Sequence, residues 1–226
     1  MSEQPHYTGH RQRLRERLLK SGAGALPDYK LLELVLFAAL PRQNIKPLTK
    51  ELIEHFGSFA EVIAAEPSTL KIVTGVGDAV LGTLKTVEAA SLRLAQQNVL
   101  DKHVLSDWQA LLDYLRASMA YAMNDQFRVL FLNKKNILIA DEVQQKGTVD
   151  HTAVYPREII KRTLEVGATA VIMVHNHPSG DPTPSGADIQ MTLEVKDAGE
   201  KMGIVPHDHV IIARDCAESF KARGLI

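Results

Sequence analysis

His175-Asn176-His177-Pro178-Ser179-Gly180, followed a few positions later by Pro184-Ser185-Gly186-Ala187-Asp188, brings together the side chains with the most chemistry to offer in this sequence. Two imidazoles two positions apart, at the end of the apolar run Ala170-Val171-Ile172-Met173-Val174, share one face because strand side chains alternate with period two. Pro, Gly and Thr then turn the chain, and Asp188 can return a carboxylate oxygen toward the same point. Two neutral nitrogens, one carboxylate and an open fourth position form the ligand set of a catalytic zinc, whereas structural zinc usually takes four protein ligands rich in Cys. Ser185-x-x-Asp188, ahead of Ile189, Met191 and Leu193, also has the pattern of a helix N-cap with an acid at the third position, which satisfies free amides and suits the helix dipole. Capping and ligation are compatible. A lone His at a strand end is ordinarily a hydrogen-bonded polar residue. The pair, the tight loop and the third ligand together favour a metal here. The letters His-Asn-His also suggest a homing-type nuclease, but the residues of that motif are dispersed over a longer hairpin-helix unit.

The elements that must position these residues lie in the second half of the chain. From about residue 106 onward the apolar spacing alternates between periods near 3.6 and 2, giving the order helix, strand, strand, helix, strand, helix, strand. Phe127–Leu132, Asn136–Ala140, the run before His175 and Val210–Ile212 are the expected strands. The first hundred residues read as all helix: apolar residues recur every three or four positions over Tyr29–Phe37 and Lys46–Phe56, with Pro41 and Pro47 breaking and restarting the helices. Polarity rises at Gln96-Gln97-Asn98, so the expected division is a helical domain over 1–100 and an α/β domain over 101–226.

In the helical half, Leu70-Lys71-Ile72-Val73-Thr74-Gly75-Val76-Gly77-Asp78-Ala79-Val80-Leu81 resembles a helix-hairpin-helix. Gly75, Val76 and Gly77 permit a tight turn with free amides at the start of the next helix, where backbone N–H groups and the dipole can hold a DNA phosphate without reading sequence. The same residues also suit a purely structural hairpin, and Asp78 repels phosphate. Arg11-Gln12-Arg13-Leu14-Arg15-Glu16-Arg17 starts a helix whose basic face either touches phosphates or is simply solvated.

Composition sets the bounds. With 26 basic and 27 acidic residues the net charge is −1, so the chain as a whole carries no general attraction to nucleic acid. The single cysteine, Cys216, excludes an internal disulfide and any thiolate cluster, so zinc must be held by nitrogen and oxygen. Met1–His6 lacks the apolar core of a signal peptide, and no apolar run reaches membrane-spanning length, which gives the expectation of a cytoplasmic protein that does not enter a membrane.

The order His175-x-His177, seven residues, Ser185, two residues, Asp188 is similar to the JAMM motif of the MPN/JAB metallopeptidases. The wider context of Val154-Tyr155-Pro156-Arg157-Glu158, the His175 loop and Asp208-His209-Val210-Ile211-Ile212 resembles the RadC branch of that group, bacterial proteins historically labelled DNA repair. The resemblance covers almost the whole chain. It implies a cytidine-deaminase-like α/β/α domain carrying one zinc, beside a smaller all-α helix-hairpin-helix domain. His175, His177 and Asp188 would be the ligands, and Ser185 would help to stabilise a tetrahedral oxyanion. Active members place a Glu near the start of an early strand as general base. Asp125 stands at that position here, one methylene shorter and so about 1 Å short of its target. Glu142 is the second candidate base, or else a solvated charge at a strand end.

His207-Asp208-His209 is placed to supply hydrogen bonds that fix the tautomer of a ligand, or to serve as a satisfied cluster at the start of a strand. Arg157, Lys161 and Arg162 read as helix-surface charges, and Trp108 and Tyr114 as packing. The functional expectation is a zinc hydrolase acting on peptide or isopeptide bonds in a peptide or protein substrate. The alternatives are a DNA-binding accessory protein with a structural or vestigial zinc site, which Asp125 in place of Glu favours, and a metal-dependent nuclease, which more often uses clustered carboxylates and Mg²⁺.

Overall fold

The computed structural model describes residues 9–122, 124–146, 155–214 and 216–226. Met1–His6 and Val154, used above, lie outside the described residues. The chain divides into two compact units, Met1–Ala90 and Ser91–Ile226.

The first unit is helical: α1 (His10–Ser21), a short 3₁₀ turn (Ala23–Ala25), α2 (Asp28–Leu36), α3 (Lys46–Phe56), α4 (Phe59–Ala64), α5 (Pro67–Leu70) and α6 (Asp78–Gln97), within which the division between units falls. Both helices expected between residues 29 and 56 are present, and Pro47 sits in the first turn of α3, where its missing N–H has no partner to lose. Ser58 caps α4 by accepting the N–H of Glu61 at 3.2 Å. Leu14, Leu32, Leu36, Leu52, Val62, Leu70 and Leu84 fill the core. Within the basic run, Arg11 donates to the carbonyls of Phe37, Leu40 and Gln43, closing the end of α2, so its guanidinium serves the fold. Between α5 and α6 the chain turns at Gly75, whose φ of +94° is a left-handed conformation that favours glycine. Val76 is buried in the core, and Lys71 pairs with Asp78 at 3.2 Å.

The second unit is a three-layer α/β/α arrangement, as expected. It runs α7 (Trp108–Met119), β1 (Gln126–Leu132), β2 (Leu138–Lys146), α8 (Pro156–Glu165), β3 (Ala170–Asn176), α9 (Gly186–Lys201), β4 (Val205–Ile212) and β5 (Ala217–Ser219). The strands form one mixed sheet in the order β2-β1-β3-β4-β5, with β3 and β4 parallel and joined across α9. Alternation along the strands builds two apolar layers. Leu130, Leu132, Ile172, Val174, Val210 and Ile212 face one way, with α7 residues Leu111 and Leu115. Phe127, Val129, Phe131, Val171 and Met173 face the other, with Ile159 and Ile160 of α8 and Val195 of α9. The order of elements matches the sequence reading, with β5 in addition. No helix among the described residues is long and apolar enough to cross a membrane.

Candidate metal centre

His175 has the same parity along β3 as Val171 and Met173, so its ring emerges on the α8/α9 side at the carboxyl end of the strand. His177 follows immediately, its N–H bonded to Ile212 O at 2.9 Å, so the chain stays registered against β4 through the pair. A turn through Gly180, at φ +87°, then carries the chain to Ser185, the N-cap of α9. Ser185 and Asp188 form a reciprocal capping box: the Ser185 hydroxyl oxygen accepts the Asp188 N–H at 3.1 Å, while Asp188 Oδ2 accepts from the Ser185 N–H at 2.7 Å and from its hydroxyl at 2.6 Å. The box fixes the carboxylate with Oδ1 directed back toward β3.

The result is a convergence of three ligand atoms. His175 Nε2 lies 2.9 Å from His177 Nε2 and 3.4 Å from Asp188 Oδ1, and His177 Nε2 lies 3.8 Å from Asp188 Oδ2. One donor atom from each of the three residues falls within 4.8 Å of the others. Their side chains are 12%, 22% and 20% exposed, so the cluster is recessed without being sealed from solvent. Two imidazole nitrogens and a carboxylate oxygen at these separations match the donors that zinc accepts.

The far sides of the rings are also held. His177 Nδ1 lies 2.7 Å from the carbonyl of Asp181, a pure acceptor, so Nδ1 carries the proton and Nε2 presents its lone pair. His175 Nδ1 lies 2.8 Å from Nε2 of His209, whose Nδ1 in turn meets the Thr192 hydroxyl at 2.6 Å. Burial holds the His175 pKa down to about 4, against the opposing pull of Asp188, so the ring is neutral at neutral pH and able to ligate. His209 is fully buried between Phe127 and Phe220, and burial likewise keeps it neutral.

The other candidate residues fall in different places. Asp125 stands immediately before β1, at the end of the strand where Phe127 pairs with His175, and is not among the three residues whose ligand atoms converge. Asn176, buried between the two histidines in sequence, accepts the Gln126 N–H at 2.7 Å and donates to the carbonyls of Ala122 and Asn124, which ties the segment bearing Asp125 to β3. Glu142 does not join this group. On β2 it pairs with Val129 of β1, two strand spacings or about 10 Å across the sheet from β3. Its carboxylate is gripped by Arg162 of α8 at 2.6 and 2.8 Å, which holds its pKa below the usual range. The Ser185 proton, expected to serve an oxyanion, is directed to Asp188 Oδ2. His207 bonds Asn136 at 2.6 Å, and Asp208 accepts from the backbone N–H groups of His209 and Lys221 and from the Ser219 hydroxyl, so these two stabilise the strand. Gly75, Val76 and Gly77 belong to the separate helical unit. Thr192 and Asn176 were given no role from sequence. Thr192 lies four residues beyond Asp188, one helical turn on along the same face, and that spacing is the signal the sequence carries for it.

Comparison with known proteins agrees with this architecture. Residues 105–225 match the model of the RadC-like JAB domain, and residues 7–81 match that of the UPF0758 N-terminal region. A UPF0758 protein of Rhodobacter capsulatus is 60% identical over 213 residues, covering 94% of this chain and 100% of its own length. A UPF0758 protein of Ruegeria pomeroyi is 53% identical over 217 residues, covering 96% of this chain and 97% of its own.

Proposed function

This chain belongs to the RadC-like JAB domain family, and from that premise we propose that its second unit is a zinc-dependent hydrolase of the JAMM type acting on peptide or isopeptide bonds. The single observation that carries the reading is the convergence of His175, His177 and Asp188, with their donor atoms within 4.8 Å. His175, His177 and Asp188 would hold a zinc ion, which would supply Lewis acidity toward an amide carbonyl and toward water at neutral pH.

The residues of the chain divide the remaining work. His175 and His177 turn their Nε2 atoms toward the common point because their Nδ1 atoms are engaged from behind. Asp188 presents Oδ1 because the capping box occupies Oδ2. Asp125, anchored through Asn176, takes the proton from the attacking water and passes it to the leaving amine; its shorter side chain makes this a slow base. Ser185 donates to the carbonyl oxygen once substrate draws its hydroxyl away from Asp188. The glycine turn before α6 suits phosphate contact by backbone amides, and the pairing of Lys71 with Asp78 offsets the carboxylate there, so we assign non-specific DNA contact to the first unit.

Turnover of a peptide and isopeptide library by the zinc-loaded protein, beside Asp125→Glu and His175→Ala, tests the reading. Cleavage that rises in Asp125→Glu and disappears in His175→Ala supports it. Zinc bound without cleavage in the wild type or Asp125→Glu favours a DNA-binding accessory protein instead. That alternative requires salt-dependent retention on DNA that is lost on altering Gly75 and Gly77 and unaffected by His177→Ala.

A further inference from the structure

Beneath the metal cluster a hydrogen-bonded chain runs from His175 to His209, then to Thr192, and ends on the backbone carbonyl of Asp188, with links of 2.8, 2.6 and 2.6 Å. We infer that this chain has one direction, and that Thr192 and His209 are positioning residues which set the tautomer of His175 from the carbonyl of Asp188. The inference rests on the zinc reading above for its purpose and on geometry alone for its direction.

The direction follows from the last link. A carbonyl oxygen can only accept, so the Thr192 hydroxyl, 2.6 Å from Asp188 O, must donate there. Its oxygen then offers His209 Nδ1 a lone pair, which requires the proton to be on Nδ1 of His209. Nε2 of His209 is left bare and accepts from His175 Nδ1–H. A neutral His175 with its proton on Nδ1 has a bare Nε2, 2.9 Å from the equally bare Nε2 of His177 and 3.4 Å from Asp188 Oδ1, so the direction set by the Asp188 carbonyl leaves two lone pairs for which a bound cation would be the common partner. Reversal of the chain would set the Thr192 and Asp188 oxygens lone pair against lone pair at 2.6 Å and would place a proton on the ligating nitrogen. Water cannot rescue a broken link, because Thr192 and His209 are each 0% exposed and the His209 ring stacks on Phe220 at 4.5 Å. Each histidine ligand is thus set by a carbonyl: His177 directly by that of Asp181, and His175 through two side chains by that of Asp188. Asp188 thereby acts on the site twice, through Oδ1 and through its main chain.

The test uses the full chain with Thr192→Val, which keeps the shape and removes the hydroxyl, and Thr192→Ser, which keeps it. A second pair is His209→Gln, which can accept from His175 and donate to Thr192, and His209→Leu, which can do neither. Two quantities are read: zinc affinity by competition with a chelator, and the His175 tautomer in metal-free protein from its ring ¹⁵N shifts. Thr192→Val and His209→Leu should weaken zinc by about 10- to 100-fold, with Thr192→Ser and His209→Gln within about threefold of wild type. In Thr192→Val the His175 proton should leave Nδ1 for Nε2. Unchanged zinc affinity and an unchanged tautomer in Thr192→Val would overturn the relay while leaving the zinc reading intact. A wild type that binds no zinc would overturn that reading, and the ring ¹⁵N shifts would then still decide the direction of the chain.

Discussion

On the α7 face of the sheet, Arg128 meets Asp141 at 2.6 Å and Tyr114 donates to the same carboxylate; on the α8/α9 face, His175 and His177 point nitrogens at one another 2.9 Å apart. Both clusters are built on strands that also carry the apolar core. In the first, opposite charges meet, with the Asp141 side chain 2% exposed, and the phenol is protonated and shares the carboxylate. In the second, lone pairs and a carboxylate oxygen of like electrostatic sign are brought together, and every hydrogen bond that fixes them comes from behind. A polar cluster that neutralises itself is structural. One whose free atoms all present the same sign is arranged for a cation.

The largest expected effect breaks the first cluster. Arg128→Leu leaves Asp141 buried without its cation and should cost about 3–5 kcal/mol of unfolding free energy in denaturant titration, with zinc affinity of the folded protein unchanged. A destabilisation near zero would mean that the pair is no more than a surface-like contact. The converse change, His177→Ala, should leave metal-free stability within about 1 kcal/mol while lowering zinc affinity by about 10²- to 10³-fold, since one of three protein ligands is lost. If both substitutions moved stability alike, the distinction between the clusters would fail.

Asp125→Glu sharpens the functional side. Restoring the missing methylene should raise turnover about tenfold with little change in zinc affinity, measured as kcat on the best substrate of the library. The smallest effect concerns Tyr114. Burial, and next the charge of Asp141, raise its pKa above the ordinary phenol value, so the folded state retains a proton that the unfolded chain releases. Stability from this group is present below the unfolded pKa of about 10 and is lost as pH rises beyond it. Tyr114→Phe should therefore lower stability by about 1 kcal/mol at neutral pH and flatten its decline between about pH 9 and pH 11. An equally steep decline in the variant would place the alkaline sensitivity elsewhere.

The sequence disclosed the parts of this molecule that local pattern controls. The alternation of helices and strands after residue 106 was legible because period 2 and period 3.6 are written into consecutive residues. β2 was expected to end at Ala140 and runs to Lys146, because pairing with β1 continues through Asp141, Glu142 and Val143 and, past a bulge, through Gln145 and Lys146 after the apolar signal has stopped. β5, with three residues, is too short to carry a periodicity. His175, His177 and Asp188 were legible for the same local reason, with their spacing fixed by one strand end and one helix start. The links beneath them were not. Parallel register sets His209 beside Met173, diagonal to His175, and only the paired sheet shows that their rings meet. Glu142 looked like a free strand-end acid because nothing in sequence announces that Arg162, twenty residues on, will lie across it.

Zinc K-edge X-ray absorption on the zinc-loaded full chain tests the central claim most directly. The expected shell has two imidazole nitrogens and carboxylate or water oxygens at about 2.0–2.2 Å, with the second imidazole contribution lost in His177→Ala. A sulfur scatterer at about 2.3 Å, which would implicate Cys216, or an all-oxygen shell unchanged in His177→Ala would contradict it.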